Sequence, residues 1–209
     1  AALVMIGLHV FGILMGVVSA LILGKTAFHG RPVPFVMELP NYRFPSVKSV
    51  ALLLWEKAKD FLQRAFSVIF LATIAIWFLQ SFDARLNVVA SSSVSLLAMI
   101  GRLVAPIFAP LGFADWRCAT ALISGFIAKE SVVSTLQILL GASAVSTLFT
   151  TKTALSFLVF TLLYTPCVAA IAAIRREVGS APRAALIALT QCCVAWLAAF
   201  VLYQLVLIL

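Results

Sequence analysis

The chain has 209 residues, of which 64% are hydrophobic and 11% charged, and its mean hydropathy is +1.15. No soluble core needs that much apolar surface, so composition implies an all-α, polytopic helical membrane protein. The formal net charge of +8 would suggest nucleic acid in a soluble chain. Here no basic tract is interleaved with aromatics, and basic residues of a membrane protein gather in cytoplasmic loops, so no nucleic-acid partner is expected.

Leu3 to Leu23 reads as the first span, and it holds Gly12-Ile13-Leu14-Met15-Gly16, a spacing that lets a second helix approach closely. The chain begins Ala1-Ala2-Leu3 without Met, and this run lacks a basic leader, so the sequence reads as a fragment of something longer. His9, near one end, reads as an interfacial or hydrogen-bonded histidine rather than a metal ligand. Gly24-Lys25-Thr26 looks like the end of a phosphate-binding loop, but Ser19 stands where that motif needs glycine and no strand precedes it.

From His29 to Ser46 the residues Pro32, Pro34, Pro40 and Pro45 forbid a continuous helix, so this stretch, with Glu38, reads as an extended connection. A helix is expected to start near Ser46. Its Val47, Val50, Ala51, Leu54, Ala58, Phe61 and Leu62 form an apolar stripe, with Lys48, Lys57, Lys59, Asp60 and Arg64 mainly opposite. That pattern describes an interfacial amphipathic helix. Ala65 to Phe82 is the second expected span, with Trp77 suited to a membrane interface, and Ser81 to Ser95 is a loop. Leu96 to Phe113 is apolar but interrupted by Gly101, Pro106, Pro110 and Gly112, which predicts a discontinuous helix or a re-entrant element.

Ala119 to Leu140 is long and apolar enough to span, yet it carries Lys129 and Glu130 near its middle, where each charge costs roughly 2.5–3.5 kcal/mol on insertion scales. On one continuous helix Glu130, Ser134 and Gln137 share a face, while Lys129 is turned away and needs its own partner. The stripe reads either as an ion or transport path or as a buried charge network that only holds helices together. Thr151 to Ile174 is a further span that contains Tyr164-Thr165-Pro166-Cys167. Pro166 cannot donate to the carbonyl of Leu162, so a kink with a freed acceptor is expected there. Ala184 to Leu209 is the last span.

Seven Lys/Arg lie between residues 25 and 64 and three between 175 and 183; the two groups share the cytoplasmic side if 96–113 crosses fully, which implies six crossings. The four cysteines, Cys118, Cys167, Cys192 and Cys193, have neither zinc-site nor disulfide-framework spacing and read as free thiols. Adjacent Cys192 and Cys193 point to different faces of a helix and read as small hydrophobes. Glu130, Ser134, Thr165 and Cys167 together offer a carboxylate, hydroxyls and a thiol, a donor set suited to a borderline transition metal rather than Mg²⁺ or Ca²⁺. Taken alone, Cys167 is equally readable as an inert buried thiol. As an enzyme nucleophile Cys167 would need a base, and the two histidines, His9 and His29, are distant in sequence.

Three motifs now stand together in order: Pro34-Phe35-Val36-Met37-Glu38-Leu39-Pro40-Asn41-Tyr42-Arg43-Phe44-Pro45, then Gly125-Phe126-Ile127-Ala128-Lys129-Glu130-Ser131-Val132-Val133-Ser134-Thr135-Leu136, then Tyr164-Thr165-Pro166-Cys167-Val168-Ala169-Ala170 with Arg175-Arg176-Glu177. They closely resemble the ferrous iron transport protein B (FeoB) family over essentially the whole chain. The resemblance implies the C-terminal part of a membrane domain, including the second of two gate regions, in a multi-pass importer of Fe²⁺ across the bacterial inner membrane. It carries the metal-path role onto Glu130 and Cys167; Lys129, Ser134, Gln137 and Thr165 are weaker candidates along the path. Hydropathy and charge divide the chain into a transmembrane helix at 1–24, a cytoplasmic connection with the amphipathic helix at 25–64, and a transmembrane domain at 65–209, which the resemblance implies is gate-type.

The same resemblance implies GTP and Mg²⁺ bound by an N-terminal cytoplasmic G domain, none of whose motifs occurs in these residues, and so no enzyme in this stretch itself. Further implied partners are the lipid bilayer, the N-terminal half of the membrane domain with the first gate and its cysteine, small cytoplasmic accessory proteins of the same iron system, and a second copy of the chain. Gate regions are also similar to segments of nucleoside transporters, where the polar stripe would bond a sugar or base. The rarity of Asn and aromatics on the Glu130 face argues against that cargo.

Overall fold

The computed structural model describes residues 2–26, 44, 46–89, 92–140, 145–164 and 167–208. The Pro-rich connection with His29 and Glu38 lies outside the described residues, as do Thr165, Pro166 and the side chains of Asp60, Phe61 and Arg64. The described residues are helical, with no strand beyond one isolated bridge between Phe82 and Val88. The chain falls into two compact units, Ala1–Leu62 and Gln63–Leu209.

In the first unit α1 (Ala2–Thr26) is continuous and apolar along its length and buries no residue. Gly16 of the GxxxG spacing has nothing opposite it, so the close approach this glycine permits is not used within the described residues. The next helix, α2 (Val47–Ser81), starts one residue after Ser46, whose hydroxyl accepts from the Ser49 N–H at 3.2 Å. It runs unbroken through Ala65, so the amphipathic segment and the second span are one helix rather than two elements. Val47, Val50, Leu54 and Leu62 of its apolar stripe are exposed.

The second unit holds the core. Between Ser81 and Val89 the chain turns tightly: the Asp83 carboxylate accepts from the N–H groups of Arg85 and Asn87 at 2.8 and 2.9 Å, and Leu86 adopts a left-handed φ of 61°. The following helix, α3 (Leu96–Val104), is capped by Ser95, which accepts from the Ala98 N–H. At Ala105 it tightens into a 3₁₀ segment, Ala105–Leu111. Pro110 offers no N–H to the Ile107 carbonyl, its i+3 partner in a 3₁₀ turn, and the Trp196 indole N–H donates to that carbonyl instead, at 3.0 Å. Asp115 then caps α4 (Trp116–Ser124), accepting from the Arg117 N–H at 2.7 Å and pairing with its guanidinium. The axis bends by 106° between Leu96–Leu111 and α4, so the expected interruption of 96–113 is present and sharp. Gly101 allows this hairpin to close, because a Cβ there would run into Thr120 and the Trp116 carbonyl.

The expected span over 119–140 is not a single helix. It stops at Ser124, passes through turns at 125–130, and restarts as α5 (Ser131–Leu140). Hydropathy is blind to this break, because the broken stretch stays apolar except at Lys129 and Glu130. After α6 (Val145–Leu148) comes α7 (Thr151–Leu163), opened by a Thr150/Thr153 capping box; it ends before Tyr164. The next helix, α8 (Val168–Val178), starts after Cys167 and closes at Gly179, whose φ of 67° suits glycine. The last, α9 (Ala181–Ile208), packs closely along α7, since Ala184, Ala195 and Ala199 are small and buried and the Ser156 hydroxyl reaches the Ala199 carbonyl. Phe108, Phe113, Phe157, Phe160 and Tyr164 form a run of ring contacts with centroids 5.2–5.5 Å apart.

Among the described residues three helical stretches are long and apolar enough to cross a membrane: Ala2–Thr26, Thr151–Val178 counted across its break, and Ala181–Ile208. The bent pair would make a fourth if it counts as one span. Among the described residues Phe70–Ser81 and Ser131–Leu140 are shorter apolar helical stretches.

Candidate functional site

Two helix breaks meet inside the second unit. The first is the turn at 125–130 between α4 and α5; the second is the interruption at 164–167 between α7 and α8. The Val168 N–H at the start of α8 donates to the Phe126 carbonyl of the first break at 2.9 Å. Gly125 makes the approach possible, because a Cβ there would collide with Val132 Cγ2 and the Tyr164 hydroxyl. Backbone groups released by one break are thus satisfied by the other, which is what allows irregular chain at membrane depth.

The partner of Lys129 is now visible. Its ammonium donates to the carbonyls of Thr161, Leu162 and Tyr164 at 3.2, 3.1 and 3.0 Å and lies 4.7 Å from the centroid of the Tyr164 ring. The Leu162 carbonyl is the acceptor that Pro166 cannot engage, so the freed group expected from sequence is taken by a cation. A positive charge at the end of α7 also complements the partial negative charge of its last carbonyls. Tyr164 is held in turn by its hydroxyl, which donates to the Leu122 carbonyl at 3.3 Å, and by stacking on Phe160.

Glu130 is exposed and lies in the turn, one residue before α5. The expected helical stripe is corrected accordingly: Ser134 and Gln137 are on α5 and exposed, and Glu130 is not on that helix. The buried hydroxyl of α5 is Thr135 instead. Cys167 is half-buried at the N-cap position of α8, with no side-chain capping bond. None of the four cysteines forms a disulfide; Cys118 is buried in α4 and Cys193 is exposed.

Sequence reasoning missed three groups at the junction. The Ser131 hydroxyl donates to the Ser124 and Ala128 carbonyls, pinning the start of α5 to the end of α4. The Ser124 hydroxyl, in a residue only 3% exposed, has no hydrogen-bond partner among the described residues. Tyr164 offers Lys129 both a ring face and an accepting carbonyl; its place two residues before Pro166 was the available signal. Among the described residues no three His, Cys, Asp or Glu side chains converge as a metal cage.

Beside the junction lies a cavity of about 620 Å³, lined by Phe108, Leu122, Phe126, Phe160, Tyr164 and Cys192 among other side chains, nearly all carbon. It offers very few hydrogen-bonding groups to a polar solute.

Paired helix breaks among apolar helices describe a multi-pass helical membrane protein. Residues 62–181 match the Gate family model, described as "Nucleoside recognition", and residues 5–57 match the model "Ferrous iron transport protein B C terminus". The chain belongs to the gate family and, within it, is the C-terminal membrane region of a FeoB-type protein. It is 35% identical over 97% of its length to the "Fe(2+) transporter FeoB" of Staphylococcus aureus strain MSSA476, and spans 31% of that protein. It is 32% identical over 84% of its length to the Methanocaldococcus jannaschii protein of the same name, spanning 28% of it. A Porphyromonas gingivalis "Fe(2+) transport protein A/Fe(2+) transporter FeoB fusion protein" is 31% identical over 98% of this chain, which spans 30% of that protein. No solved structure matches the chain.

Proposed function

We propose that this chain is part of an Fe²⁺ importer of the bacterial inner membrane and that the ion passes where the two helix breaks meet. The observation that supports this reading is the contact between the breaks, in which the Val168 N–H donates to the Phe126 carbonyl and joins the segment that carries Cys167 to the segment that carries Glu130. Ionised Glu130 and the Cys167 thiol or thiolate replace part of the ion's water shell in transit. Thr165, Ser134, Gln137 and the Lys129 region contribute more weakly. A conduction path needs few and weak ligands so that the ion can leave, which fits a site short of a full metal cage. In the complete protein a GTP- and Mg²⁺-binding domain outside these residues controls passage, and the other half of the membrane domain completes the pore. The fused relative supports a small accessory partner as well.

The nucleoside reading draws on the description of the gate model. The groove beside the junction lends that reading no support, because its lining is almost entirely carbon and offers few partners to hydroxyls and ring nitrogens. The test is anaerobic uptake of ⁵⁵Fe²⁺ and of labelled uridine by cells lacking other iron importers and expressing the complete protein, with and without Glu130→Gln. Loss of iron uptake at normal membrane abundance, with no uridine uptake in either strain, is the expected outcome. Unchanged iron uptake removes Glu130 from the path, and uridine accumulation replaces the cargo.

A further inference from the structure

The arrangement around Lys129 resembles the coordination of a bound cation more than a conventional ion pair. An ammonium has three N–H donors and no acceptor, and here each of three backbone carbonyls sits at 3.0–3.2 Å from the nitrogen, with an aromatic face 4.7 Å away. All three carbonyls come from the last turn and cap of α7, where unpaired C=O groups carry partial negative charge. The Leu162 carbonyl is one of the last of α7, which ends at Leu163, and such terminal carbonyls lack an intrahelical partner. The ring is also held by the Tyr164–Leu122 hydrogen bond and the Phe160 stack, contacts independent of the lysine.

We propose that the broken end of α7 is a monovalent-cation cradle, formed by the carbonyls of Thr161, Leu162 and Tyr164 with the Tyr164 ring, and that Lys129 is its tethered occupant. The cradle contains no anionic group, and neutral carbonyls suit a singly charged, weakly hydrated ion better than a divalent one that dehydrates reluctantly. Because the lysine stems from the α4–α5 break and the carbonyls from the α7–α8 break, the ammonium also ties the two breaks together. The inference goes beyond the iron reading and stands whichever solute the junction carries.

Chemical rescue tests it on the purified complete protein in detergent. Lys129→Ala removes three methylenes and the ammonium, which n-propylammonium replaces in one molecule. The expected result is a lowered melting temperature for Lys129→Ala that n-propylammonium chloride raises again. Tetramethylammonium chloride, which has no N–H, and neutral n-propanol should leave the variant as it is, and the wild-type protein should not respond to any of the three. Lys129→Met restores the apolar stem without charge and should stay close to Lys129→Ala. Equal responses to all three additives, rescue by propanol, or wild-type stability in Lys129→Met would overturn the proposal. If Lys129→Ala is not recovered folded, the same additives are supplied at extraction and folded yield is read instead. Yield restored by propylammonium alone supports the cradle; equal yield with every additive, zero included, overturns it.

Discussion

Gly125 is the residue on which the junction turns. Its backbone is ordinary, with φ of −64°, so its role is space rather than conformational freedom. A methyl group would meet Val132 and the Tyr164 hydroxyl, both buried, and neither can move without disturbing the ring that faces Lys129. Gly125→Ala is therefore expected to cost about 1–3 kcal/mol, the usual range for overpacking. Thermal melting in detergent should show a lower midpoint for Gly125→Ala; an unchanged midpoint would mean that the breaks can separate freely. At this scale the sequence exposed the anomaly but not its resolution. Two adjacent charges in an apolar run announce a site by their insertion cost. The carbonyls that receive Lys129 lie 32 to 35 residues further along, and no local spacing reveals them.

At the scale of elements, the prolines were readable and Gly125 was not. Pro166 marked the Leu162 carbonyl as free, and Pro106 and Pro110 marked the interruption after α3, because a missing N–H is a local chemical fact. A single Gly125 inside a hydrophobic run is tolerated in many membrane helices, so the stop at Ser124 left no comparable mark. The α2 helix erred in the other direction: a change from amphipathic to uniformly apolar composition suggested two elements, but nothing in 47–81 breaks a helix. The turn that follows α2 makes its own prediction. The Asn87 backbone N–H, with help from Arg85, holds the Asp83 carboxyl below the usual carboxylate range. A folded value lower than the unfolded one means that the stabilising contribution is complete above the ordinary aspartate pKa of about 3.9 and is lost as pH falls through the folded value. Amide exchange at Asn87, corrected for its chemical rate, should stay slow at neutral pH and accelerate under acid conditions. Protection independent of pH, or lost already near neutrality, would contradict the Asx turn.

At the scale of the whole molecule, composition alone established the membrane class, and three ordered motifs established the family. The number of crossings was less legible. Loop charges imply six if 96–113 crosses fully, whereas the chain bends by 106° between Leu96–Leu111 and α4 and the runs at 119–140 and 151–174 are each interrupted. Broken helices conceal topology because hydropathy records which residues avoid water and not where the backbone turns. The same breaks build the junction on which the functional account rests.

The most direct test of that account compares two thiols in the complete protein by anaerobic ⁵⁵Fe²⁺ uptake: Cys167 at the α7–α8 break and Cys118, buried within α4. The account predicts that Cys167→Ala lowers uptake by about 10–100-fold at equal membrane abundance, the range typical of losing a group that tunes or holds a metal, while Cys118→Ala keeps uptake near the parent level. Uptake unaffected by Cys167→Ala, or lost equally in both variants, would contradict a path through the meeting of the breaks.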